Sequence, residues 1–452
     1  MKLVKKFSKQ LRNFLIFISL FAVIFQTGCE FQVDFRELVD QIVEQVVPPS
    51  TTATPSDIVA TVTPTEEVSV TPTVAPDAGT MELVLWVPPQ FDPEIDNPAN
   101  QLFKKRILAF EESHDSVFIT VRVKAATGQT GLLESLSITH DAATEVMPSL
   151  VALTRSDLET AVTRNLLVPF DSYSSEIDRQ DWYDYAQALT VVGGSSYGLP
   201  FAGDALMLVY RPSIVGEPPV TWADLIRRGE PVAFPAADPQ SLLSLSIYLS
   251  SGGELDSTQR ITQLDQEKLN QLFQLYADGA QAGVFPLWLT ELQKATEAWT
   301  AYNELRSNWV ITWMTKHLSD PADDSSLASF PSVNGSTSPL ADGWIWSLTD
   351  PDEQVHPIAV ELAEFLTDAD YLSEWSPLEG VLPVRPTSLS AYTDPDLQSL
   401  LGQEALTAHI RPSNEIVSSL GLVMEEQLVQ ILSGKTTAPF AAQAIMDRFG
   451  SQ

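Results

Sequence analysis

Three segments near the start of the apolar part of the chain decide the fold class: MELVLWV (residues 81–87), FKKRILAFEESH (103–114) and VFITVRVKA (117–125). The first and third are short apolar runs of strand length. The second has helical spacing, with Ile107, Leu108 and Phe110 expected to face inward. Strand, helix, strand is a βαβ opening, and PSLVALTRSDLETAVTRNLLVPFD (148–171) repeats strand and helix before a turn at Pro169. The alternation predicts an α/β protein, and no repeat of solenoid or propeller period is visible.

Upstream of Met81 the composition changes. PPSTTATPSDIVATVTPTEEVSVTPTVAPDAGT (48–80) is rich in Thr, Pro and Val without a stable period, which predicts a disordered linker. At about 3.1 Å per residue, thirty extended residues reach on the order of 90 Å. Before it, FRELVDQIVEQVV (35–47) has apolar residues at helical spacing and an acidic opposite face, expected to be a stalk helix.

The first residues have the order of an export signal. Lys2, Lys5, Lys6, Lys9 and Arg12 precede an apolar stretch from Phe14 to Phe25. As a helix those residues rise only about 18 Å, against a hydrocarbon core of roughly 30 Å, so a spanning anchor is the weaker reading. Cys29 is the chain's one cysteine and follows Gln26-Thr27-Gly28. That stretch resembles the lipobox of bacterial lipoproteins, although Gln26 stands where Leu is usual. The resemblance implies a signal peptide over residues 1–28 and lipidation of Cys29. The alternative is a chance cysteine beside an ordinary cleavage site.

Composition excludes several functions. One cysteine forbids a disulfide framework, and the five histidines form no cluster at zinc spacing, so no metal or cofactor is expected. A formal charge of -33 repels phosphate backbones, which argues against nucleic acid as a partner. No GxSxG elbow, P-loop or HExxH is present, and Asp and Glu are too numerous, at 59, for carboxylate pairs to mark a glycosidase. A non-enzyme is expected.

Further along, GLPFAGDALMLVYR (198–211) is followed by PPVTWADLI (218–226). Together with DLETAVTRNLLVPFDSY (157–173), AVELAEFLTDADYLSEW (359–375), EGVLPVRP (379–386) and LVQILSGKTTAPFAAQAI (428–445), they resemble, in order, the sugar-binding extracellular solute-binding proteins of ABC importers, the group of maltose-binding protein. The resemblance implies a two-lobed periplasmic-binding-protein-like (type II) fold. Lobe 1 is expected over 81–200 and 341–388, and lobe 2 over 201–340 and 389–452. Chain crossings are expected near 199–203, 339–343 and 386–392. The implied protein is a monomer that captures a sugar or oligosaccharide between the lobes and delivers it to permease subunits, tethered by lipid outside the cytoplasmic membrane. A surface glycan binder or chemosensory lipoprotein without a transporter is the alternative.

Sugars present apolar faces and a rim of hydroxyls, which aromatic platforms and carboxylates match. By resemblance the candidate ligand-binding residues are Trp86 at the end of the first strand, Asp204 just after the first crossing, Trp344 and Trp346 in ADGWIWSLT, Trp375 and Arg385. Trp344 and Trp346 share a face if that run is a strand. Trp222 and Trp182 are read as structural, Trp309 and Trp313 as facing core or cleft, and Trp288 and Trp299 are unassigned.

Overall fold

The computed structural model describes residues 80–449 apart from 180, 256–263, 334 and 336. The expected signal segment, Cys29, the helix over 35–47 and the linker up to residue 79 lie outside the described residues.

The βαβ opening forms as the sequence dictates. β1 (Met81–Val87) is parallel to β2 (Val117–Val123), with Met81 opposite Val117 and Val87 opposite Val123, and is parallel also to β3 (Leu150–Thr154). The intervening helix Pro98–Ser113 starts where Asn97 accepts a hydrogen bond from the Asn100 N–H and Pro98 occupies the first turn. It buries Ala99, Phe103, Ile107 and Phe110, a spacing of four, four and three residues. Leu108 was expected inward but is 48% exposed, because one step from Ile107 turns it about 100° off that stripe.

Two short strands, β4 (Val191–Val192) and β5 (Ser195–Ser196), pair as a hairpin and lead into β6 (Leu199–Tyr210), the longest strand. β7 (Val232–Ala233), β8 (Trp309–Trp313) and β9 (Ser326–Ala328) follow, then β10 (Leu340–Leu348) and β11 (His409–Ile410). Among the described residues the main sheet runs β2-β1-β3-β10-β6-β8-β7, with β11 on β10 and β9 on β6.

Two apolar cores sit on this sheet. One gathers β1, β3, helix Pro98–Ser113 and helices His356–Leu366 and Ala369–Glu379. The other gathers β7, β8 and helices Gln266–Gln281, Leu422–Leu432 and Ala438–Phe449. β6 serves both: Leu199, Phe201, Ala202, Ala205 and Met207 belong to the first, Leu206, Leu208 and Val209 to the second. β10 passes between them as well, since Leu340 packs in the second core and Ala341, Ile345, Trp346 and Leu348 in the first. This is the two-lobed α/β architecture, joined through strands that cross from lobe to lobe.

β11 makes a third passage. The segment Pro386–Ala391 was expected to cross, yet it is a 3-10 helix that stays with the first core. Tyr392, Leu401 and Ala405 beyond it are buried there too, and the chain pairs with β10 only at His409 and Ile410. Where β6 and β10 meet, Gly203 lies opposite Gly343. A Cβ on Gly203 would stand 2.1 Å from the Tyr185 hydroxyl, so only glycine lets the strand lie this close to helix Asp184–Thr190.

Candidate functional site

A cavity of about 500 Å³ opens where the crossing strands leave the first core for the second. Its floor is Gly203, Asp204, Asp342, Gly343 and Trp344. Phe91, Thr154, Ser156 and Glu379 line it from elements of the first core, Gln240, Leu242 and Trp313 from the second, and Thr315 from helix Met314–Ser319, whose Met314 packs in the first. It shares Gln90, Ser319 and Glu379 with a neighbouring cavity of about 860 Å³, and Gln240, Leu242 and Trp313 with another of about 230 Å³. Each of the two borders the first through those shared residues.

Asp204 and Asp342 are direct partners across the β6–β10 ladder, and residues opposite each other in antiparallel strands project to the same face with Cβ atoms about 5 Å apart. Asp204 accepts hydrogen bonds from the Ala205 N–H at 2.9 Å, the Thr315 N–H at 3.1 Å and the Thr315 hydroxyl. Despite those bonds, burial pushes its carboxyl up to about 7, and Asp342 adds to the rise. Asp342 accepts the Gly343 N–H at 2.8 Å, and burial raises it too, against the pull of Arg411 and Arg155. Glu379, at the end of its helix, is pushed up to about 7 by burial.

Arg411 is the cation on the cavity wall, 5% exposed. Its guanidinium donates to the Asn414 side-chain oxygen at 2.8 Å, the Gln240 side-chain oxygen at 3.1 Å and the Pro412 carbonyl at 3.2 Å. Asn414 in turn donates its N–H to Glu159 at 2.7 Å, and Glu159 pairs with Arg155 at 2.8 Å. This network ties helix Arg155–Thr163 to the loop before helix Leu242–Ser250 across the β11 passage.

Of the six residues expected at the ligand, the structure brings Asp204 and Trp344 to the cavity wall. Trp344 is half-buried, edge-on to Phe91 with ring centroids 5.5 Å apart. Trp346, two residues on, points to the same side of β10 but lies under the first core, 2% exposed and stacked on Phe201 at 4.6 Å. Trp375 is 3% exposed beside Phe91, Phe201 and Trp346, around a void of roughly one water. Trp86 is buried, with the Lys124 ammonium 4.6 Å from its ring, and does not reach the cavity. Arg385 is buried away from the cavity over Trp182 at 3.6 Å. It donates to Glu176 at 2.9 Å and to the Thr367 carbonyl at 2.8 Å. These four pack or pair inside the protein because their partners cover them before solvent can.

Trp313, left open between core and cleft, lines the cavity, whereas Trp309 is buried. Asp342, Glu379 and Arg411 were missed. Asp342 carried a signal, since ADG (341–343) in the returning strand mirrors GDA (203–205) in the outgoing one. Glu379 and Arg411 carried none.

Residues 105–400 match the family model described as bacterial extracellular solute-binding protein. No curated protein matches the sequence. The fold is shared with a cyclic α-maltosyl-1,6-maltose binding protein from Arthrobacter globiformis (16% identity over 82% of this chain and 99% of that one, TM-score 0.68). It is shared also with the sugar-binding protein MalE from Xanthomonas citri (16%, 82% and 96%, TM-score 0.66). A third neighbour is the maltose/maltodextrin-binding domain MalE from Bdellovibrio bacteriovorus, bound to maltotriose (18%, 82% and 99%, TM-score 0.58).

Proposed function

Because this chain belongs to the bacterial extracellular solute-binding protein family, we propose that it captures a carbohydrate of several units in the cavity between its two cores and presents it to an ABC permease. The observation that carries this reading is the wall itself. Trp313 and Trp344 offer apolar faces from strands of different cores, while Asp204, Thr154, Ser156, Gln240 and Thr315 offer the polar atoms a hydroxyl rim needs. The adjoining cavities give room beyond one sugar ring.

Walls from both cores make closure a consequence of binding. A ligand that touches both lobes binds better when they approach, so it shifts the population to the closed form; contact with one lobe alone would shift nothing. The lobes divide at β6, β10 and β11. Glycines 203 and 343 and the network through Arg411 stand at those passages.

Cys29 carries a lipid anchor, and the Thr- and Pro-rich segment that follows holds the binding module outside the membrane. Among the described residues no helix is long and apolar enough to cross a membrane. Cys29→Ser should release the full-length protein into the soluble fraction or leave it unprocessed, and unchanged detergent-dependent partitioning refutes the anchor. Thermal-shift measurements against mono- and oligosaccharides test the ligand class, since ligand at 100 times its Kd adds about 2.7 kcal/mol. A melting curve unmoved by every saccharide in the series, with the protein folded, overturns the carbohydrate reading.

A further inference from the structure

The cavity has an imbalance that a neutral sugar leaves in place. Three carboxylates line it, from Asp204, Asp342 and Glu379, and the single guanidinium on its wall spends its bonds on Asn414, Gln240 and Pro412. Among the described residues none of the three carboxylates forms an ion pair within 4 Å. Asp204 and Asp342 face each other across neighbouring strands, an arrangement of like charges that costs stability. A fold that sets two acids opposite one another on the floor of its own cavity is complementary to a positive ligand.

The geometry also says what kind of cation. Among the described residues no three His, Cys, Asp or Glu side chains converge closely enough to hold a metal ion. The spaced carboxylates therefore suit a larger, organic cation. Trp313 and Trp344 stand on the same cavity, and an ammonium group is attracted to indole faces as well as to carboxylates. The neutral hydrogen-bonding groups of Thr154, Ser156, Gln240 and Thr315 favour a hydroxylated molecule over a bare polyamine.

We propose that the ligand of this cavity is a glycan carrying at least one protonated amine, held by Asp204, Asp342 and Glu379 against Trp313 and Trp344. This inference rests on the carbohydrate reading of the same site. Binding the ammonium stabilises the charged carboxylates, so acids now held high by burial, Asp342 among them despite its neighbouring cations Arg411 and Arg155, favour the ionised form as the ligand enters.

Calorimetry on the full-length protein near neutral pH tests it with four probes: a β-1,4-linked glucosamine tetramer, its N-acetylated counterpart, the uncharged glucose tetramer of the same linkage, and spermidine. The amine tetramer should bind at least about tenfold tighter than the other two sugars, since each hydrogen bond to a charged group contributes roughly 1.5 to 3 kcal/mol. The heat should vary with buffer, since protons move between acids, amine and solvent on binding, and added salt should narrow the preference. Asp342→Asn should reduce that preference about tenfold. Equal or tighter binding of the N-acetylated or uncharged tetramer overturns the amine and leaves the carbohydrate reading standing. Binding of spermidine with no binding of any tetramer overturns both.

Discussion

Replacing Asp204 by Asn turns the pH dependence of stability into a measure of how strongly the cleft resists charge. The carboxyl has an ordinary value of 3.8 and is pushed up to about 7 in the fold. An acid raised in this way holds its proton more tightly folded than unfolded. Its contribution therefore costs nothing while both states are protonated, falls against the fold as pH rises from about 4 to about 7, and stays unfavourable above. At 1.36 kcal/mol per unit, a rise of about three units amounts to on the order of 4 kcal/mol by about pH 8. Asn keeps an acceptor for the N–H groups of Thr315 and Ala205 and cannot ionise. The variant should match the wild type to within about 1 kcal/mol near pH 4 and exceed it by roughly 4 kcal/mol near pH 8. Urea titrations followed by tryptophan fluorescence across that range give the difference directly, because the shifts at Glu379 and Glu404 are present in both proteins and largely cancel. A difference independent of pH, or one favouring the wild type at high pH, refutes the reasoning.

The two tryptophans of β10 should separate cleanly. Trp346→Ala opens a cavity beside Phe201 and Phe103 costing about 3 to 5 kcal/mol. With roughly 2.1 cal/mol/K per residue over roughly 370 residues, that is a fall in Tm of about 4 to 6 °C. Trp344→Ala should move Tm by less than about 2 °C and weaken binding of whichever saccharide shifts the wild-type melting curve by roughly 1 to 3 kcal/mol; the reverse pattern would place the ligand on the wrong side of the strand. Arg385→Ala leaves Glu176 buried with only the exposed Arg179 beside it, and should cost roughly 2 to 4 kcal/mol of stability. Its saccharide affinity should equal the wild type's, and an affinity loss at unchanged Tm would return Arg385 to the ligand.

The local pattern of the chain was enough for its elements. Residues 81–125 alternate a strand period with a helical one, and each element buries the face its spacing prescribes, Leu108 excepted. The switch from Thr- and Pro-rich chain to apolar runs falls at Met81, where β1 begins, and the ordered resemblance of six segments carried the two-lobed architecture. These features are legible because backbone period and side-chain polarity act over a few residues. The cavity is assembled differently. Its wall takes residues from positions 90, 154, 204, 240, 313, 342, 379 and 411, and no sequence window spans them.

Trp344 and Trp346 show the limit most clearly. They are two residues apart and face the same way, so periodicity treats them alike. What differs is the cover: Phe103 from helix Pro98–Ser113 and Phe201 from β6 close over Trp346, while Trp344, where the register with β6 shifts, meets Phe91 edge-on and stays half-buried. The same holds for the acids. Asp204 and Asp342 lie 138 positions apart in the chain, and only the antiparallel register of β6 on β10 makes them neighbours whose charges feel one another. The sequence by itself determined which segments are strands and helices and which order they take. Tertiary packing alone decided which aromatic faces stay open and which carboxylates meet, because both depend on atoms supplied from distant parts of the chain.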